Sequence, residues 1–315
     1  MTSLPLIDLA PFFSTDDAAR LAVAAEWDAA MQDYGMATLV GHGLPQSVMQ
    51  VLYDSALSFF TLPMERKMAY CLNKGYGSGG YVPPGVEAVS RSHAHAEAAP
   101  DLVENIVFSK GGGDGETVMP SEPPSLSEDV QLYFSAASSL LHTLMNLSAL
   151  ALSLPSDYFA PHFAQPETHL RLAYYPPVGA SPESRPSGSS RYGAHTDYTG
   201  FTILRQDPRV PGLEVQTVRG EWAAVAAVEG GLVVNAGDLI QVWTNDRWRS
   251  PPHRVSVPPA GTASEARLSL VFFTGPESTT MISPLPTCCS EDVPAKYAPV
   301  SAREHLLSKL QRSNV

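Results

Sequence analysis

Between Leu170 and Phe273 the chain breaks into short apolar runs separated by Gly, Pro and other turn residues. Many short strands at near-even spacing bury their apolar faces only by closing on one another, so this half predicts a β-barrel or sandwich. An alternating segment, Arg171 to Tyr175, opens it and is broken by Pro176-Pro177. Further strands are expected over 192–198, 200–205, 212–217, 222–226, 231–235, 238–243, 252–257 and 266–273. The first half reads as helices. Ser14-Thr15-Asp16-Asp17 supplies an N-cap and first-turn acids for a helix running to about Tyr34, where Gly35 stops it. Met36 to Val40 is a buried strand. Pro45 to Phe60 carries Val48, Val51, Leu52, Ala56 and Phe59 at helical spacing. The longest helical stretch, Ser125 to about Leu154, repeats Leu132, Ala136, Leu140, Leu144 and Leu147 every three or four residues. Ser301-Ala302-Arg303-Glu304 is a capping box for a last helix over about 300–312. The expectation is an α+β fold: a distorted, cupin-like jelly roll backed by helices. It forms one domain over 1–315, with a helix-rich part over about 1–165 and the jelly-roll core over about 166–290.

Chemistry concentrates in Tyr192-Gly193-Ala194-His195-Thr196-Asp197. On a strand, His195 and Asp197 project to the same face, because side chains repeat every two residues. His253, in Pro252-His253-Arg254-Val255, offers a third ligand from a distant strand. Two imidazoles and one carboxylate occupy one face of an octahedron and leave the other open, the donor set of non-haem Fe(II) oxygenases. Arg267 and Ser269, two apart, also share a strand face. A guanidinium fork can clamp a carboxylate while a hydroxyl adds a bond.

These pieces, in this order, resemble the 2-oxoglutarate/Fe(II)-dependent dioxygenases of the isopenicillin N synthase-like family. Pro5-Leu6-Ile7-Asp8-Leu9, Asp33-Tyr34-Gly35, Gly41-His42-Gly43, Phe59-Phe60-Thr61-Leu62-Pro63, Gly80-Tyr81-Val82-Pro83, Arg171-Leu172-Ala173-Tyr174-Tyr175-Pro176-Pro177, Asn235-Ala236-Gly237-Asp238, Thr244-Asn245 and Arg267-Leu268-Ser269 carry the likeness nearly end to end. The resemblance implies a double-stranded β-helix, Fe(II) held by His195, Asp197 and His253, and 2-oxoglutarate and O2 as co-substrates. It implies that Arg267, Ser269 and the Tyr175 hydroxyl hold the far carboxylate of 2-oxoglutarate. Decarboxylation to succinate and CO2 would drive oxidation of an unactivated C–H of a small organic molecule, by hydroxylation, desaturation or cyclisation. Two departures stand out. Ala173 occupies a position that is often Asn, so one polar contact is missing. The segment 258–264 lengthens the step from His253 to Arg267. Asn235, Gly237 and Asp238 are expected to support the ligands rather than act as catalysts. Tyr81, Phe108, Trp243 and Phe273 are candidate substrate walls.

Other features receive plainer readings. His42 is expected to be a turn residue bonded to backbone, and His93-Ala94-His95 a surface loop. The glycine-rich 75–80 stretch lacks the strand and helix that a phosphate loop needs. Two other classes compete with the oxygenase reading. A non-catalytic small-molecule binder has no need of open metal positions, and a zinc hydrolase wants a His-Glu-X-X-His that is absent. Within the family, an oxidase that uses no 2-oxoglutarate differs in releasing no succinate. The net charge of −12 argues against nucleic acid, whose phosphates need a basic surface. Three cysteines make no disulfide framework, and no stretch reads as a signal peptide or membrane span. A cytoplasmic enzyme of specialised metabolism, a monomer or weak homo-oligomer, is the expectation.

Overall fold

The computed structural model describes residues 4–71, 79–87, 89, 100–110, 118–179, 190–257 and 265–313. His93 and His95, the 111–117 and 258–264 segments, and most of the 75–80 stretch lie outside them.

The helical half follows its local signals. After β1 (Leu6–Asp8), α1 (Asp17–Asp33) starts at Asp16, whose carboxylate accepts the N–H groups of Ala18 and Ala19. Gly35 ends it at φ +63°, and a Cβ there would stand 2.2 Å from the Arg249 carbonyl oxygen, so no other residue fits without a backbone shift. Next come β2 (Met36–Val40), α2 (Gln46–Phe60), the short α3 (Met64–Met68), β3 (Gly80–Val82) and β4 (Glu104–Lys110). The scaffold helix α4 (Leu126–Ala151) buries Val130, Tyr133, Phe134, Ala137, Leu140, Leu141 and Leu144. Leu132, expected on that stripe, is exposed, because the apolar face runs one residue out of phase with it.

The strand half contains β5 (Glu167–Tyr175), β6 (Tyr192–His195), β7 (Phe201–Arg205), β8 (Leu213–Gln216), β9 (Trp222–Ala224), β10 (Leu232–Ala236), β11 (His253–Val255) and β12 (Arg267–Gly275). The expected strand at 238–243 is instead a helix, α5 (Asp238–Trp243). Its apolar residues Leu239, Ile240, Val242 and Trp243 are all buried rather than alternating, and a short apolar run is ambiguous until its surroundings decide. A small ribbon, β13 (Met281–Ile282) with β14 (Val300–Ser301), leads into α6 (Ala302–Ser313). There the Ser301 and Glu304 side chains each accept the other's backbone N–H, completing the capping box.

The large sheet has the order β1-β2-β10-β7-β12-β5-β4-β3, antiparallel except for β1 on β2. The smaller sheet has the order β6-β11-β8-β9. One face of the large sheet packs on the helices: Phe272 meets Tyr133 and Phe134 edge-on, and Trp27 of α1 packs on Phe201 while its indole donates to Ser148. The other face looks into the barrel. Register fixes which residues those are. Arg267, Ser269, Val271 and Phe273 of β12 stand opposite Tyr175, Ala173, Arg171 and His169 of β5. Asn105, Val107 and Ser109 of β4 extend that row. Thr202 and Leu204 of β7 flank it on the other side, with Asn235 and Val233 of β10 beyond.

Three expected substrate walls are therefore corrected. Tyr81 pairs with Ile106 and lies on the helix face, 1% exposed, with its hydroxyl on Glu104. Phe108 is one residue out of phase with the inward row and sits in the main core, as Val107 takes the inward position. Trp243, on α5 rather than a strand, packs edge-on against Phe159 and His162. Phe273 alone of the four shares the face of Arg267 and Ser269.

Candidate functional site

The end of β6 and the start of β11 lie side by side, with His253 opposite His195. Their rings are 4.3 Å apart centre to centre, inclined at 53°. Asp197 follows just after β6, and its Oδ1 stands 3.7 Å from His195 Nε2 and 3.8 Å from His253 Nε2. All three residues are buried, and their candidate ligand atoms lie within 4.8 Å of one another. Among the described residues this is the one such group of three or more metal-ligating side chains.

The remaining polar atoms of the three side chains are already engaged. His195 Nδ1 donates to the Gly193 carbonyl at 2.8 Å, and His253 Nδ1 to the Pro251 carbonyl at 3.1 Å. A ring that donates from Nδ1 carries its lone pair on Nε2, the atom turned toward the common centre. Burial, then the charge of the facing His253, pushes His195 down to about 3, which keeps it neutral and able to ligate near neutral pH. Burial raises the Asp197 carboxyl, but His253, His195, Asn235 and Thr202 together outweigh it and hold the carboxylate below its ordinary value. Asp197 Oδ2 accepts from Thr202 Oγ1 at 2.5 Å and Asn235 Nδ2 at 2.7 Å, which leaves Oδ1 for a metal. Two neutral imidazoles and one carboxylate, preoriented on buried backbone, fit a ferrous ion with open positions.

Asn235, expected in a supporting role, has it. Thr202 was not singled out by the sequence reading; its alternation within Phe201–Arg205 places it inward. Removing either donor should loosen the carboxylate. Asn235→Leu and Thr202→Val are each expected to weaken Fe(II) affinity by about 10–100-fold, the usual cost of losing a partner to a metal ligand. Anaerobic Fe(II) titration would measure this, and an unchanged affinity would show these bonds to be incidental. Asp238 does not reach into this centre as a base. Its carboxylate pairs with Lys309 of α6 at 2.5 Å and accepts from Thr196 Oγ1 at 3.4 Å. Gly237 serves close approach: a Cβ there would meet the Thr199 carbonyl oxygen at 2.4 Å. His42 is a turn residue, its ring bonded to the Gly230 carbonyl and to the Leu44 N–H.

Deeper along the barrel lies Arg267, 0% exposed. Its guanidinium donates to Ser269 Oγ, to Gln206 Oε1 at 3.3 Å and to the Val210 carbonyl at 3.1 Å, and sits 5.5 Å from the Tyr175 ring centre. Among the described residues no carboxylate comes within 4.0 Å of it. A cation out of water without a counter-ion is costly, and a bound anion would offset that cost. Ala173 lies opposite Ser269 and offers no polar group. Val103, Val255, Tyr192 and Tyr175 form an apolar cluster on the inner face, suited to a short aliphatic chain.

Two family descriptions match the chain: the 2OG-Fe(II) oxygenase superfamily over residues 166–276, and the N-terminal part of non-haem dioxygenases in morphine synthesis over residues 4–123. Among curated proteins, the 2-oxoglutarate-Fe(II) type oxidoreductase ppzC of Metarhizium majus is 31% identical over 94% of this chain and 83% of its own length. The proline hydroxylase buaE of Petromyces alliaceus is 34% identical over 85% of this chain and 86% of its own. Among solved structures, a full-length Neurospora crassa protein in complex with alpha-KG and thymine superposes with a TM-score of 0.88, at 27% identity, over 98% of this chain and 96% of that one.

Proposed function

The chain belongs to the 2OG-Fe(II) oxygenase superfamily, and on that premise we propose that His195, Asp197 and His253 hold Fe(II) while Arg267, Ser269 and Tyr175 hold the far carboxylate of 2-oxoglutarate. The protein is a 2-oxoglutarate-dependent non-haem Fe(II) dioxygenase that oxidises a small organic molecule. One observation carries the residue assignment: His195 Nε2, His253 Nε2 and Asp197 Oδ1 converge, while every other polar atom of those side chains is bonded elsewhere.

When bound, the iron with 2-oxoglutarate and O2 supplies the oxidation, releasing succinate and CO2. The protein's own residues bind, aim and exclude. The two backbone carbonyls on Nδ1 fix the ring planes of the histidines. Thr202 and Asn235 hold the Asp197 carboxylate to one free oxygen. Arg267 and Ser269 would hold the far carboxylate of the co-substrate, leaving its 2-oxo acid end free for the metal. Tyr175, buried with its ring centre 5.5 Å from the Arg267 guanidinium, would add its hydroxyl to the same carboxylate. The apolar cluster of Val103, Tyr192 and Val255 keeps water from the space between.

For the substrate, the inward row supports a small molecule seated against Phe273 and Val107, with Arg171 close by. Relatives whose descriptions cite proline and thymine are in keeping with a compact substrate, and specialised metabolism is the proposed setting. The net charge of −12 supports work without nucleic acid. No helix among the described residues is long and apolar enough to cross a membrane. A cytoplasmic site of action, as a monomer or weak homo-oligomer, is proposed alongside.

The test is anaerobic addition of Fe(II) and then 2-oxoglutarate to the purified protein. A weak visible charge-transfer band is expected, and admission of air with a panel of small metabolites should couple succinate release to loss of one of them. Substrate loss without succinate would make the enzyme an oxidase that does not use 2-oxoglutarate. Absence of the band with iron bound would defeat the co-substrate assignment.

A further inference from the structure

A second buried guanidinium reaches the strand ends that carry Arg267 and Tyr175. Arg191 is 1% exposed and precedes β6 by one residue, four positions before His195. It donates to the Glu265 carbonyl at 2.9 Å and to the Pro176 carbonyl at 3.4 Å. Those two carbonyls bracket a register pair: Glu265 lies two residues before Arg267, and Pro176 follows Tyr175, which stands opposite Arg267. The Arg191 guanidinium therefore spans the strand ends that carry Arg267 and Tyr175. Burial lowers its pKa first, and the charge of Arg267 adds to that effect. Like charges that feel one another away from water repel, and an anion bound within reach of both is attracted by each.

We propose that Arg191 is a second cation for the distal carboxylate of 2-oxoglutarate, making the pocket select dicarboxylic 2-oxo acids more sharply than Arg267 and Ser269 would alone. This rests on the assignment of Arg267 made above. Arg191 works through its charge, and its carbonyl bonds fix where that charge stands. The carboxylate at the other end of the co-substrate, directed to the metal, lies outside its influence. A 2-oxo acid without a distal carboxylate should be indifferent to Arg191.

That difference supplies the test. Fe(II)-loaded protein is titrated anaerobically with 2-oxoglutarate and, separately, with 2-oxobutanoate, following the visible band. Arg191→Met is expected to weaken 2-oxoglutarate about tenfold and leave 2-oxobutanoate unchanged, while Arg191→Lys recovers most of the loss because the charge remains. Should Arg191→Met fail to fold, Arg191→Gln set against Arg191→Lys makes the same comparison. Equal weakening of both ligands would reduce Arg191 to a structural brace, and unchanged 2-oxoglutarate affinity would remove it from the pocket altogether. Either result leaves the role of Arg267 standing. If the unmodified protein gave a band with neither acid, the co-substrate assignment itself would fall, and the role of Arg191 with it.

Discussion

His253→Ala is expected to reduce turnover by on the order of a thousandfold or more, about 4 kcal/mol at 1.36 kcal/mol per decade, by removing one of three metal ligands. The reason is geometric. Asp197 Oδ1 has His195 Nε2 at 3.7 Å and His253 Nε2 at 3.8 Å as its co-ligands, and nothing else among the described residues completes the set. The fold should survive, since within the protein the His253 side chain gives up one hydrogen bond, to the Pro251 carbonyl, a cost of about 1 kcal/mol. Thermal denaturation under anaerobic conditions separates the two effects. Fe(II) should raise the melting temperature of the unmodified protein, because a ligand that binds only the folded state stabilises it. The variant should melt near the metal-free protein and gain nothing from Fe(II). A variant that still shows the full metal-induced rise would mean that the ion is held elsewhere.

Arg267→Met should raise the 2-oxoglutarate requirement by roughly thirty-fold to several-thousand-fold, the 2–5 kcal/mol typical of removing one partner of a buried, hydrogen-bonded charge pair. Fe(II) affinity should stay close to normal, because Arg267 makes no contact with His195, Asp197 or His253; its partners are Ser269, Gln206 and the Val210 carbonyl. The metal-free variant should not be greatly destabilised. The change removes a fully buried cation and replaces it with an apolar chain of similar length. Titration of Fe(II) in the absence of 2-oxoglutarate, followed by titration of 2-oxoglutarate at saturating Fe(II), reads the two sites separately. Loss of both affinities together would show that the assigned division of labour is wrong.

How much of this was legible beforehand depended on the kind of signal. The donor set His195, Asp197 and His253 was readable because the His-X-Asp spacing is a local signal. In the structure His195 ends β6 and His253 begins β11, whereas Asp197 lies two residues past β6 and is held by Thr202 and Asn235 rather than by strand alternation. The helix starts at Asp16 and Ser301 were readable because a cap is a local event within four residues. Phe108 and Tyr81 were misread for the opposite reason. Both are aromatic residues on strands near the expected pocket, and which face they occupy depends on pairing with β5 and β4, partners distant in the chain. A shift of one residue exchanges Phe108 for Val107.

The chain's order of residues by itself determined the helix-then-strand layout, the spacing of His195 with Asp197, the inward pairing of Arg267 with Ser269, and the family to which they point. These rest on periodicity and spacing, which act over a few residues. Only the tertiary structure decided that 238–243 is a helix, that Thr202 and Asn235 commit one oxygen of Asp197, and that Arg191 bonds to the carbonyls of Glu265 and Pro176 at the strand ends carrying Arg267 and Tyr175. Each of those depends on groups brought together by strand register and burial, and register is set by the packing of the whole sheet on its helices rather than by any single segment.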